Sequence, residues 1–130
     1  MRKAIPPESE CNHTDGGPYC KLVVGDGLMQ MDRDGTAIDA SAMWHRNTDA
    51  ETRQKLGSGL SNLPLSFGFS KEEVGQCFLD ARSHPQDNLP YFKWDVGGKV
   101  KHKDFILYCG LIIDTTTVLV KEQLRINTSF

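Results

Sequence analysis

At 130 residues, with 38% hydrophobic and 25% charged side chains, the chain has the composition of one globular domain, large enough to bury a core without metals or disulfides. Its formal net charge of −2 excludes a global basic field that would draw it to nucleic acid or an anionic membrane. No apolar run approaches the roughly 20 residues of a membrane span, and Met1-Arg2-Lys3 is not followed by the apolar core of a secretory signal. These features point to a cytoplasmic protein, in which Cys11, Cys20, Cys77 and Cys109 are expected to be thiols.

Residues 1–18 hold two adjacent prolines, Gly16-Gly17 and almost no apolar side chains after Ile5, the pattern of a flexible tail ahead of a single domain over residues 19–130. Tyr19–Val24 reads as a short strand closed by Gly25-Asp26-Gly27. Leu28–Trp44 alternates with period two about Asp34-Gly35, a two-residue hairpin signal. Pairing Arg33 with Thr36 sets Met31 opposite Ile38 and Met29 opposite Ala40.

Thr48-Asp49-Ala50-Glu51 has the form of a capping box with Thr48 as N-cap. The helix it starts carries only Leu56 and Leu60 as large apolar residues and is expected to fray at Gly57 and Gly59, leaving residues 60–69 as a loop. Ser70-Lys71-Glu72-Glu73 is a stronger start. Ser70 and Glu73 form the box, Phe69 and Val74 the hydrophobic staple, and Val74, Cys77, Phe78 and Ala81 the buried face, widened by Leu79. His84-Pro85 ends this helix.

Tyr91–Val96 alternates again and is expected to turn at Gly97-Gly98-Lys99 and return through residues 100–102, with Trp94 opposite His102, Asp95 opposite Lys101 and a break near Lys103-Asp104. Phe105–Ile113 is nearly continuously apolar, as in a central strand buried on both faces. Asp114–Thr117 supplies turn chemistry. Beyond it Val118, Val120, Leu124 and Ile126 share one face, and Lys121, Gln123 and Arg125 the other. Pairing Ile113 with Val118 matches the apolar faces and leaves one anomaly, Glu122, on the apolar face opposite Cys109. The fold class is therefore α+β: a mainly antiparallel sheet of about six strands, in sequence order β-β-β-α-α-β-β-β, with two helices packed on one face.

The motifs exclude several chemistries. Gly25-Asp26-Gly27 is too short for a phosphate loop, no nucleophile elbow occurs, and Asp32-Arg33-Asp34-Gly35 lacks the later ligands of a calcium loop. Cys11, His13 and Cys20 are local donors with no standard zinc spacing, so neither a metal nor another cofactor is expected. A carboxylate on an apolar sheet face costs stability unless it is paired. Glu122, with Trp94, His102, Tyr108 and Cys109, therefore marks the candidate ligand pocket.

The expected function is non-covalent binding of a protein partner or small ligand at the sheet face or edge, with self-association into a homodimer as a related expectation. Two alternatives accompany it. One is a small hydrolase or nuclease using His102 and Glu122. The other is nucleic-acid binding through Lys93, Lys99, Lys101 and Lys103, interleaved with Tyr91, Phe92 and Trp94.

Overall fold

The computed structural model describes residues 10–14, 17–25, 27–34, 37–87 and 92–128. Eight strands and two helices are formed among them: β1 (Glu10–Thr14), β2 (Gly17–Val24), β3 (Gly27–Asp34), β4 (Ala37–His45), α1 (Ala50–Ser66), α2 (Lys71–Ser83), β5 (Gln86–Asp87), β6 (Gly98–His102), β7 (Phe105–Asp114) and β8 (Leu119–Thr128). The strands make one sheet in the order β1-β2-β3-β4-β8-β7-β5, and β6 also pairs with β7. Every pairing is antiparallel except the two-residue contact of β5 with β7. The α+β class with its antiparallel sheet is thus confirmed, and the two helices follow β4 as a consecutive pair. No described helix is long and apolar enough to cross a membrane.

The alternation of each strand puts one row of side chains under the helices. Leu22, Met29, Met31, Ala40, Ala42, Leu107, Cys109, Leu124 and Ile126 form the sheet side of the core. α1 lies over β2, β3 and β4, and α2 over β6 and β7. The helix side of the core is Leu56, Leu60 and Leu63 from α1, and Val74, Cys77, Phe78 and Ala81 from α2.

Both long hairpins keep the expected face parity but pair two residues away from the expected register. In the first, Asp34 pairs with Ala37 and Met31 with Ala40. Gly35 and Thr36 of the expected turn region lie outside the described residues. In the second, Ile113 pairs with Val120 rather than Val118. The Asp114 carboxylate accepts from the Thr116 backbone N–H at 2.9 Å and hydroxyl at 2.7 Å and from Thr117 N–H at 3.3 Å. With Val118 at a φ of 55°, the four-residue connection moves one position along the chain, to residues 115–118. A slip of two returns every side chain to its own face, so the apolar pattern is satisfied by either register. Glu122 consequently stands opposite Leu111 and Ala42, and Cys109 opposite Leu124.

Other local expectations change for physical reasons. Pairing begins inside the stretch expected to be a tail, because Glu10–Thr14 adds to the edge of β2. The N-cap of α1 is Asp49, whose carboxylate accepts from Thr52 N–H at 2.7 Å. Thr48 is buried and its hydroxyl accepts from the His45 N–H instead. α1 also runs through Gly57, Gly59 and Pro64 to Ser66, since Leu56, Leu60 and Leu63 bury one stripe against the sheet and packing outweighs propensity. α2 has the expected capping box, with Ser70 Oγ accepting from Glu73 N–H at 3.1 Å and Glu73 Oε1 accepting from Ser70 N–H at 2.8 Å. Leu79, expected to widen its buried face, is 55% exposed.

The expected hairpin at Gly97-Gly98 does not form. Residues 92–97 are not a strand, and β6 folds back directly onto β7 through Lys103-Asp104, with Lys103 at a φ of 53°. The two glycines serve close approach instead. A Cβ on Gly98 would collide with the Cys77 backbone carbonyl of α2, and one on Gly97 with the Cys109 carbonyl. At the same place Cys77 and Cys109, both fully buried, are joined by a disulfide, and Cys20 is disulfide-bonded as well. The expectation of free thiols is therefore corrected: the sheet register and α2 together bring two cysteines distant in sequence into bonding contact.

Candidate functional site

β8 lies between the strands that the two helices cover, so its core face forms a floor between α1 and α2. Glu122 reaches this face because the β8 alternation carries it there, and it is only 6% exposed. Such a carboxylate needs a partner, and α2 supplies one. Arg82, in the last turn, donates to Glu122 Oε1 from Nε at 3.1 Å and from Nη2 at 3.0 Å. The Arg82 side chain remains 57% exposed, so the guanidinium is held from below and open above.

That open side faces a cleft of about 720 Å³. Trp44 and Glu122 contribute from the sheet. Leu65, Val74 and Phe78 are apolar walls, and Ser58, Ser61, Gln54 and Asn62 are polar ones. Among the described residues, three cations, Arg53, Lys71 and Arg82, border it against one carboxylate. Neither Arg53 nor Lys71 makes an ion pair within 4.0 Å among the described residues, although Arg53 feels the charge of Asp49 one turn before it.

Two glycines border the cleft. Gly57 on α1 and Gly75 on α2 both line it, and a Cβ built on either meets nothing within 4 Å. Neither has a positive φ. Each therefore carries the helix-interior penalty of glycine, about 1 kcal/mol relative to alanine, without the tight packing that Gly97 and Gly98 provide.

The structure separates the pocket candidates proposed from sequence. Glu122 alone lines this cleft. Cys109 is sealed in the disulfide behind α2. His102 sits over the helix connection, with its Nδ1 3.4 Å from Glu73 Oε1 and its ring against Phe69. The Ser70 backbone N–H, followed by the charge of His102, holds the Glu73 carboxyl below its ordinary pKa. His102 pairs with Phe105 and Glu122 with Leu111, six positions along β7 and so about 20 Å apart. The two residues of the hydrolase alternative do not meet. His45 and His84 are exposed, and His84 Nδ1 lies 3.3 Å from the Asp80 carbonyl.

Trp94 and Tyr108 belong to the opposite face of the sheet. One cross-strand row there runs Lys99, Tyr108, Arg125, Asp39. Lys99 Nζ lies 5.7 Å from the Tyr108 ring centroid, and Arg125 sits 4.9 Å over Trp94 while donating to both Asp39 oxygens at 2.6 and 3.1 Å. Phe92 packs edge-on to Trp94 and covers Gly110. Trp94 thus anchors residues 92–97 to the outer face, beside a small groove of about 310 Å³.

Of the four lysines considered for nucleic acid, Lys99 and Lys101 share the outer parity of β6 and Lys103 occupies the tight turn. Lys93 is held through its backbone, which donates to Gln86 Oε1 and accepts from Gln86 Nε2. Tyr91 lies outside the described residues. The local donor set of Cys11, His13 and Cys20 is not available as read, because the Cys20 sulfur is in a disulfide. The side chains of Cys11 and His13 lie outside the described residues, and no group of three metal-binding side chains occurs among the described ones.

Sequence reasoning found Glu122, and the surplus of aromatic residues pointed to Trp44, but it missed Arg82, Gly57 and Gly75. A signal existed for Gly75: it interrupts a well-capped amphipathic helix away from the buried positions, where alanine would serve better. No family model matches the chain, and no curated protein or solved structure shows significant similarity to it.

Proposed function

We propose that this chain is a small-molecule-binding domain that holds its ligand non-covalently in the cleft between α1 and α2. The observation that carries this reading is the pair Gly57 and Gly75, which keep open a space that any other residue would begin to fill. Supporting it are the apolar walls with a few convergent polar groups, the usual make-up of a ligand site, and a volume within the usual range. Trp44 supplies a flat surface at the floor. The disulfides favour an oxidising compartment over the cytoplasmic setting suggested by composition.

The test is titration of the neutral probe 2-naphthamide, followed by the indole N–H signals of the two tryptophans in NMR. The expected result is a saturable shift of Trp44 with Trp94 unmoved, abolished by Gly75→Leu. No saturable shift at Trp44, or one that survives Gly75→Leu in a folded variant, overturns the proposal.

A further inference from the structure

The charge and donor pattern of the cleft narrows the class of ligand; this step rests on the binding reading above. In a chain of net charge −2, the cleft gathers Arg53, Lys71 and Arg82 against, among the described residues, a single lining carboxylate that is already paired. Arg82 is the best placed of the three. Its Nε and Nη2 are spent on one oxygen of the buried Glu122, which fixes the guanidinium plane, while more than half of the side chain stays open. A fixed planar fork with free donors suits a carboxylate better than a mobile ammonium does. The apolar walls Leu65, Val74 and Phe78 and the Trp44 surface suit a ring or short hydrocarbon body.

We infer that the ligand is a small amphipathic carboxylate, a free molecule with one anionic group bound by Arg82 and an apolar body lying between Gly57 and Gly75. Glu122 is a positioning residue. It does not touch the ligand but orients the guanidinium that does, while Arg53 and Lys71 raise the local anion concentration from the rims.

The experiment compares 2-naphthoate with 2-naphthamide, which differ chiefly in the charge of the head group, by NMR titration at the Trp44 indole. The expected result is at least about tenfold tighter binding of the carboxylate, the scale of one charge-assisted hydrogen-bonded contact. Arg82→Gln should bring 2-naphthoate down to the affinity of 2-naphthamide. Arg82→Lys, which keeps the charge but not the fork, should lose part of the preference and serves if Arg82→Gln does not fold. Glu122→Gln should also weaken the carboxylate selectively. Equal affinities in the parent protein overturn the carboxylate assignment and leave the binding cleft standing. A preference that survives both Arg82 variants overturns the role of Arg82. No saturable Trp44 shift with either probe overturns the cleft reading itself.

Discussion

Glu122 of β8 and Arg82 of α2 form an ion pair that is buried on the carboxylate side and open on the guanidinium side. The asymmetry sets the energetics. Arg82 loses little hydration in the pair, whereas Glu122 loses most of its own and depends on those two N–H donors.

The two residues should therefore be unequal partners in stability. Arg82→Leu leaves a buried carboxylate unpaired and is expected to lower unfolding free energy by about 2 kcal/mol. Glu122→Leu removes the buried charge and should cost less. Adding it to Arg82→Leu should recover much of the loss, which urea denaturation of the three variants would measure as a coupling energy. Strict additivity of the two changes would show that the pair is not coupled.

The glycines should separate into two kinds. Gly57→Ala and Gly75→Ala enter open space in helix interiors and are each expected to stabilise the fold by roughly 0.5–1 kcal/mol. Gly98→Ala drives a methyl group into the Cys77 carbonyl and should destabilise by about 1–3 kcal/mol or more. Chemical denaturation of the three variants checks the signs. A destabilising Gly75→Ala would mean that the glycine serves the fold and not the cleft.

The Cys77–Cys109 disulfide closes a sequence separation of 32 residues and ties α2 to β7. Cys77→Ser should cost about 2–4 kcal/mol, chiefly through the freedom regained by the unfolded chain. Thiol titration of the denatured, unreduced protein should find both sulfurs blocked, and guanidinium melts with and without reductant should show at least that loss, since reductant also opens the Cys20 disulfide. Free thiols at both positions would refute the bond.

Asp114 gives a pH signature. Hydrogen bonds from the Thr116 and Thr117 hydroxyls, followed by their backbone N–H groups, pull its carboxyl down to about 2. A depressed carboxylate stabilises the fold above its unfolded pKa, near 3.9, and loses that contribution as pH falls through the folded value. Asp114→Ala should therefore lower Tm at pH 6, with the gap to the parent protein closing between about pH 4 and pH 2. A gap that stays constant across this window would show that the ionised carboxylate contributes nothing to the turn.

Much of this architecture is written in local patterns. The period-two alternation of Leu28–Trp44 and Val120–Ile126 assigns faces, and the Ser70–Glu73 box and the Val74, Cys77, Phe78, Ala81 stripe define α2, because each is decided by neighbours within a turn or a pleat. The same alternation singled out Glu122 as a carboxylate on the apolar side. Register was not decided at that level, since a slip of two leaves every face unchanged; the side-chain bonds of Asp114 and the left-handed Val118 settle it in the folded hairpin.

Other features exist only once distant segments meet. α1 persists past its glycines because the sheet buries Leu56, Leu60 and Leu63. Gly97 and Gly98 are explained by backbone from α2 and β7, not by a turn. The partner of Glu122 lies 40 residues away on a helix whose face toward β8 no periodicity announces. The chain itself determined that a carboxylate would be buried. The packing of two helices on either side of β8 decided that it would hold an arginine at the floor of an open cleft, because α1 lies mainly over β2–β4 and α2 over β6 and β7.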